Sequence, residues 1–329
     1  MKRLGKDLLA SALMGLILPG MFLNFAVAVQ EETVVTETEP TTVPMQTLAE
    51  EQGISVMVMG LEETLTEMDL EAYLVGVVLA EMPASFEKEA LKAQSVVART
   101  YAGKTSVTSG KHGDGSVCVN PSCCQGYLSQ EAYLAAGGTE ENIGKIRDAV
   151  ASTAGQVLTY KGDLIEATYF SCSGGSTEAA VAVWGTDYPY LQSVDSPGEE
   201  QAAYYTDEIH FSREELEKRL GISLVGTSDQ WFQTISFTDG GGVDTAEIGG
   251  SVFRGTELRT ILGLRSTAFV VQGEENAVRI TTRGYGHRVG MSQYGADAMA
   301  AEGSSYPQIL AHYYSGTQLT DMSSMVRTD

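Results

Sequence analysis

Glu81 lies in Leu79-Ala80-Glu81-Met82-Pro83-Ala84-Ser85, with apolar neighbours on both sides. A carboxyl held against Leu79, Met82 and Phe86 has its charged form disfavoured by desolvation, so its pKa rises toward general-acid range. Gln94 and Arg99 follow on the next helical stretch, where they can order an anionic or hydroxylated ligand. A second constellation is His112, Cys118, Cys123 and Cys124, four potential ligands within thirteen positions of a glycine-rich stretch. Such soft and borderline donors suit a tetrahedral Zn2+ with no open position, which is a structural site. A disulfide is the alternative outside the cell, for instance Cys118 to Cys172 with Cys123 or Cys124 left free. Adjacent Cys123 and Cys124 are poorly placed to bridge each other. The residues alone leave both readings open.

Two more glycine-rich loops follow, at residues 171–178 and 284–295. The second has GxGxxxG spacing rather than the dinucleotide GxGxxG, and no P-loop lysine follows either loop, so nucleotide binding is not supported. Glycine lets backbone approach a ligand, and Trp184, Tyr285, His287, Gln293 and Tyr294 offer the flat faces and polar groups that sugar rings need.

These residues need elements to hold them. Ile54–Met59 reads as a short strand, and Asp69–Ala80 as a helix that ends before Pro83. A second helix is predicted at once, with Ser85 as its N-cap, Glu87 and Glu89 in its first turn, and an apolar stripe of Phe86, Ala90, Ala93, Val97 and Tyr101. Val157–Tyr160 and Leu164–Ser171 read as a hairpin turning at Lys161-Gly162-Asp163, and Ala277–Thr282 as a further strand. Ser212–Leu220 and Thr256–Leu262 are helix candidates on either side of Asp239-Gly240-Gly241-Gly242. The fold class is α+β: mixed helices and short strands around one catalytic cleft over residues 54–329, with an inserted subdomain at about 204–264.

The N-terminus sets the compartment. Lys2, Arg3 and Lys6 precede an uncharged apolar run from Leu8 to Val29, the layout of a secretory signal, so the chain is expected to be exported. Ala26-Val27-Ala28 suits signal peptidase, yet the run is also long enough to span a membrane uncut. Residues 1–29 are therefore a signal peptide or an anchor, and the expected location is the cell membrane, single-pass with an extracytoplasmic catalytic domain, or secretion after cleavage. Residues 30–53, with Glu31, Glu32, Glu37, Glu39, Glu50 and Glu51 and no Lys or Arg, read as an acidic disordered linker. The whole chain of 329 residues carries 21 basic and 43 acidic side chains, a net charge of -22. A surface that negative repels a phosphate backbone, which excludes nucleic acid as the main partner and disfavours teichoic acids and anionic headgroups.

Glu81-Met82-Pro83-Ala84-Ser85-Phe86, followed by the run from Glu89 to Tyr101, closely resembles the signature of the stage II sporulation protein D family, the SpoIID/LytB domain. Ser173-Gly174-Gly175, Val183-Trp184-Gly185, Pro189-Tyr190-Leu191, Gly286-His287 and the run from Gly290 to Gly295 resemble its later motifs, in the same order. The resemblance runs from about Ile54 to Leu319. It implies a lytic transglycosylase acting on peptidoglycan at the sporulation septum during engulfment, with Glu81 as the acid/base. It also implies as partners a SpoIIP-type amidase and a SpoIIM-type membrane protein, and Arg99, Ser173, Gly174, Gly175, His287 and Gln293 are the candidates for positioning the glycan. Some family members bind zinc through two His and two Cys. His112 and Cys118 fit that spacing, whereas Cys123 stands at the place of the second His, and Cys172 is a candidate substitute ligand.

The chemistry agrees with a lone carboxyl. Ordinary glycosidases need two carboxylates, but a lytic transglycosylase uses the C6 hydroxyl of the same muramic ring as nucleophile, so one acid/base suffices. Two other classes compete: a non-catalytic wall-binding enhancer of an amidase, and a zinc hydrolase. The last is weakened because four protein ligands leave no position for a catalytic water.

Overall fold

The computed structural model describes residues 54–325. The expected signal or anchor at 1–29 and the acidic linker at 30–53 lie outside them. The expectation of a single-pass membrane protein is corrected: among the described residues no helix is long and apolar enough to cross a membrane. The helix long enough for the purpose, the 20-residue Lys88–Val107, carries Lys88, Glu89, Lys92, Arg99 and Lys104.

Strand β1 (Ser55–Met59) pairs antiparallel with β2 (Leu65–Asp69). Helix α1 (Leu70–Glu81) starts where β2 stops, because the Asp69 side chain accepts the Ala72 N–H and caps it. Leu70 and every residue from Tyr73 to Leu79 are buried, so α1 is covered all round and forms the centre of the first core. It ends as Met82 turns extended ahead of Pro83.

Ser85 is not the N-cap of the next helix. Phe86 N–H closes a turn onto the Pro83 carbonyl and uses Ser85 within that turn. Helix α2 (Lys88–Val107) starts later, at Glu87, whose N–H is taken by the Asp297 carboxylate at 2.6 Å. Tertiary contact thus supplies the cap that local sequence does not.

A loop then leads through β3 (Val117–Cys118), parallel to β1, to α3 (Gln130–Ala135) and α4 (Glu140–Ala151). Helix α4 packs Ile143, Ile146, Ala149 and Val150 into the same core. The hairpin β4 (Gln156–Tyr160) and β5 (Asp163–Leu164) turns at Lys161 and Gly162, both at positive φ (52° and 90°), as a two-residue turn requires. Its second arm is shorter than predicted, because the chain leaves it to form β6 (Tyr169–Phe170). Strand β7 (Gly175–Ser176), α5 (Ala180–Trp184) and β8 (Asp195–Ser196) follow.

From β9 (Thr206–Ser212) the chain builds a second core. Helix α6 (Arg213–Leu220) opens with a Ser212/Glu215 capping box. Strands β10 (Phe232–Phe237), β11 (Val243–Ile248) and β12 (Ser251–Arg254) form one antiparallel sheet, and α7 (Gly255–Leu262) packs on it. Strands β13 (Phe269–Gly273) and β14 (Ala277–Arg283) join β9 in a second sheet. This core extends beyond residue 264, through Phe269, Val278 and Ile280. The chain then returns to the first core with β15 (Met291–Ser292), α8 (Gln293–Ala301), α9 (Tyr306–Tyr313) and β16 (Gln318–Asp321), the last pairing with β4. The architecture is α+β.

Arg288, buried and at positive φ (66°), stands where the two cores meet. It donates to the carbonyls of Ser173, Ser176 and Gly240 and to Glu178 Oε1 at 3.0 Å. Glu178 also accepts from Gly242 N–H and the Thr238 hydroxyl, so one ion pair ties the 171–178, 238–242 and 286–290 loops together.

Candidate functional site

Glu81 is the last residue of α1 and is partly exposed. Its Oε1 accepts the Gly126 N–H at 2.6 Å, and a Cβ on Gly126 would stand 3.0 Å from that oxygen, so any larger residue would push the carboxyl aside by a few tenths of an ångström. The Tyr169 hydroxyl and the Gln293 amide also lie against the carboxyl and favour its charged form, but burial outweighs all three and holds its pKa above the ordinary carboxylate range. The negative end of the α1 dipole acts in the same direction. No cation is among the groups that shift it.

Three separate stretches deliver these partners. The loop from His112 to Cys124 ends at Gln125 and Gly126. Strand β6 pairs in parallel with β15, with Tyr169 opposite Met291, which sets Tyr169 beside Gln293 at the start of α8. Fully buried Gln125 links the two aromatic neighbours: its Nε2 donates to the Tyr169 hydroxyl at 3.3 Å, and its Oε1 accepts from Tyr73 at 3.4 Å. Sequence reasoning missed Gln125, Gly126 and Tyr169. The glycine after the Cys cluster was the one signal available, since the other two are defined by pairings distant in sequence.

The predicted positioning residues divide into two groups. Gln94 is fully buried with neither amide atom partnered, and Gln293 Nε2 is likewise without a close hydrogen bond. His287 lies 5.3 Å, ring to ring, from the half-exposed Trp184, and 5.7 Å from Phe170. Its Nδ1 accepts the Val289 N–H, so the proton sits on the other nitrogen, toward the Tyr169 carbonyl. Burial first, then the Arg259 charge, pushes the imidazole down to about 4, so it is neutral near pH 7. Tyr294 packs edge-on against Phe86 at 4.9 Å.

The other group is occupied inside the protein. Arg99 is fully buried; it forms a two-pronged pair with Glu71 (2.7 and 2.6 Å) and donates to Gln156, Val150, Ser95 and Thr153, so none of its nitrogens is left for a ligand. Ser173 and Gly174 donate through backbone to Glu199 Oε2, and Gly175 N–H goes to the Ser173 hydroxyl. Arg99, Ser173 and Gly174 thus spend these donors on partners within the protein.

His112, Cys118, Cys123 and Cys124 come together with all four ligand atoms within 4.8 Å of one another. His112 Nε2 is 3.4 Å from the Cys124 sulfur and 3.8 Å from that of Cys123, and the two sulfurs are 4.0 Å apart. Zn–S bonds of ~2.3 Å in a tetrahedron put sulfurs about 3.8 Å apart, so the donor set and spacing fit a metal ion of that size. The Asn120 carbonyl accepts the N–H groups of Cys123 and Cys124, a turn that folds both thiols back toward His112. Against the cost of burial, the Asn120 N–H, His112 and the neighbouring thiols bring Cys118 down to about 7. All four cysteines are free, and buried Cys172 lies instead by the Tyr204 carbonyl, so a Cys118–Cys172 disulfide is absent and Cys172 is not a substitute ligand.

Fold and site define an α+β protein with a carboxyl acid of raised pKa at the end of α1, beside a loop whose four-ligand group is capable of holding a metal ion. Residues 60–160, which include Glu81 and all four ligands, match the sequence profile described as "SpoIID: Stage II sporulation protein". Stage II sporulation protein D of Bacillus subtilis (strain 168) is 37% identical over 303 residues, covering 91% of this chain and 88% of that protein. The protein of the same name from Bacillus amyloliquefaciens is 39% identical over 267 residues, 80% of this chain and 77% of its own. An amidase enhancer of Bacillus subtilis (strain 168) is 32% identical over 75% of this chain but 40% of its own length. The chain belongs to the stage II sporulation protein D family.

Proposed function

We propose that this protein is a peptidoglycan lytic transglycosylase that cleaves the MurNAc-GlcNAc β-1,4 bond and leaves 1,6-anhydroMurNAc ends, in septal wall remodelling during engulfment. The observation that carries the reading is the Glu81 carboxyl, desolvated, without a cation, and fixed through Oε1 by Gly126. A carboxyl of raised pKa donates its proton to the glycosidic oxygen as that bond breaks. The resulting carboxylate, which Gly126, Tyr169 and Gln293 favour, then takes the proton of the C6 hydroxyl as that oxygen closes on C1. Proton and electron pair balance without water, and the ring's own hydroxyl supplies the proximity.

Gln293 and Gln94, with unpartnered amide atoms, and the Trp184, His287 and Tyr294 side chains are proposed to bind glycan. Arg99, Ser173, Gly174 and Gly175 support the site from inside. Zn2+ is the metal proposed for His112, Cys118, Cys123 and Cys124. Closed by four protein ligands, it would supply folding energy and no activated water, and it would fix the loop that ends at Gly126. A SpoIIP-type wall amidase and a SpoIIM-type protein are the proposed partners.

The similarity to an amidase enhancer supports a second reading, a wall-binding protein that does not cut glycan. Incubating the purified protein with glycan strands stripped of stem peptides separates the two. Anhydromuramic ends from wild type and none from Glu81→Ala support the enzyme; intact strands with both leave the enhancer.

A further inference from the structure

Tyr169 belongs to no motif singled out in the sequence, yet it is held from three sides. Its backbone is paired through β6 to β15. Its carbonyl faces the neutral His287 ring. Its hydroxyl accepts from Gln125 Nε2 at 3.3 Å, while Gln125 Oε1 accepts from Tyr73 at 3.4 Å. Tyr73 and Gln125 are both fully buried, so water does not compete for these bonds. The order of donors then runs from Tyr73 to Gln125 to Tyr169. With its oxygen already accepting, the Tyr169 hydroxyl has its own proton to place, and the Glu81 carboxyl is the acceptor that lies against it.

Resting on the reading of Glu81 as the acid/base, we propose that Tyr169 is a positioning residue for that carboxyl: oriented through Gln125 by Tyr73, it donates to Glu81 once Glu81 has given up its proton. Gly126 offers a fixed donor to Oε1, and Tyr169 supplies one that can rotate. A general acid that must act next as a base needs donors that strengthen when charge develops, because hydrogen bonds to a charged acceptor are about twice as strong as neutral ones. Tyr169 is therefore matched to the second half of the reaction. The titratable groups facing Glu81 are the Tyr73 phenol on α1 and the Tyr169 phenol on β6; from α8 and the 119–126 loop come only the neutral Gln293 amide and Gly126 N–H. Burial holds both phenols well above their usual range, so neither ionises while Glu81 titrates.

Tyr169→Phe keeps the ring and removes the donor. Measured on denuded glycan strands against pH, its kcat should fall about 10-fold with KM unchanged, and the alkaline limb of its profile should move up by about one pH unit, since a support of the carboxylate is gone. Gln125→Met should give part of the same displacement alone and no more when added to Tyr169→Phe. Far-UV circular dichroism checks folding; if Tyr169→Phe is unfolded, the limb of Gln125→Met is the readout. An unmoved limb in the folded variant, or fully additive effects of the two substitutions, overturns the proposal. Glu81→Gln in the same assay keeps the two ideas apart: digestion by that variant overturns the reading of Glu81 itself, whereas a dead Glu81→Gln beside an unmoved Tyr169→Phe profile removes the role of Tyr169 alone.

Discussion

Glu178 and Glu81 both lose contact with water, in opposite company. Glu178, 1% exposed on its side chain, meets the Arg288 guanidinium at 3.0 Å and accepts two further hydrogen bonds at the junction of the two cores. Glu81, at the open end of α1, meets neutral donors and no cation. Desolvation acts on both carboxyls; a guanidinium offsets it for Glu178, and nothing of full charge does so for Glu81. The first arrangement holds backbone segments together. The second keeps the carboxyl protonated to higher pH, as a general acid requires.

The largest expected effect is on turnover: Glu81→Ala should lower the release of anhydro ends by about 10² to 10⁴-fold while the unfolding midpoint in urea stays near that of wild type. Arg288→Ala should do the reverse. It leaves Glu178 buried without its partner, at a cost of about 3–5 kcal/mol in chemical denaturation, with activity lost only as the protein unfolds. Equal stability losses at the two positions would erase the distinction.

Metal removal comes next. Elemental analysis should find about one zinc per chain, and at a hundred-fold excess over Kd the ion should contribute about 2.7 kcal/mol, read as a fall in thermal midpoint on chelation. No stoichiometric zinc ends that assignment. The smallest effect is the dependence of stability on pH. The folded Glu81 carboxyl binds its proton more tightly than the unfolded one, so its contribution is complete below about pH 4.5 and is lost as pH rises through the raised value. Glu81→Gln should therefore match wild type in acid and become more stable above that window, by at most about 1.4 kcal/mol for each tenfold change in proton affinity. Parallel stability curves for the two proteins would contradict this.

Much of the scaffold was legible because it is local. Asp69 beside an apolar run gave α1, Lys161-Gly162 gave the turn of β4 and β5, and the candidate helix Ser212–Leu220 is α6 with Ser212 as its cap. The Cys cluster was legible for the same reason, since one short loop carries all four ligands. What failed was non-local. Ser85 looked like a cap, but Asp297, over two hundred positions away, takes that role for Glu87. Arg99 looked available to a ligand, yet Glu71 and the carbonyls of Val150 and Gln156 absorb it. Tyr169 gave no signal at all, because its place depends on pairing with residue 291 and on an amide that follows the Cys cluster.

The most direct test of the account is the titration of Glu81 itself, followed by carbon-13 NMR of protein labelled in the glutamate carboxyls and assigned by comparison with Glu81→Gln. The account predicts a midpoint clearly above 4.5, rising further in Tyr169→Phe. A midpoint at or below the ordinary carboxylate value would contradict it.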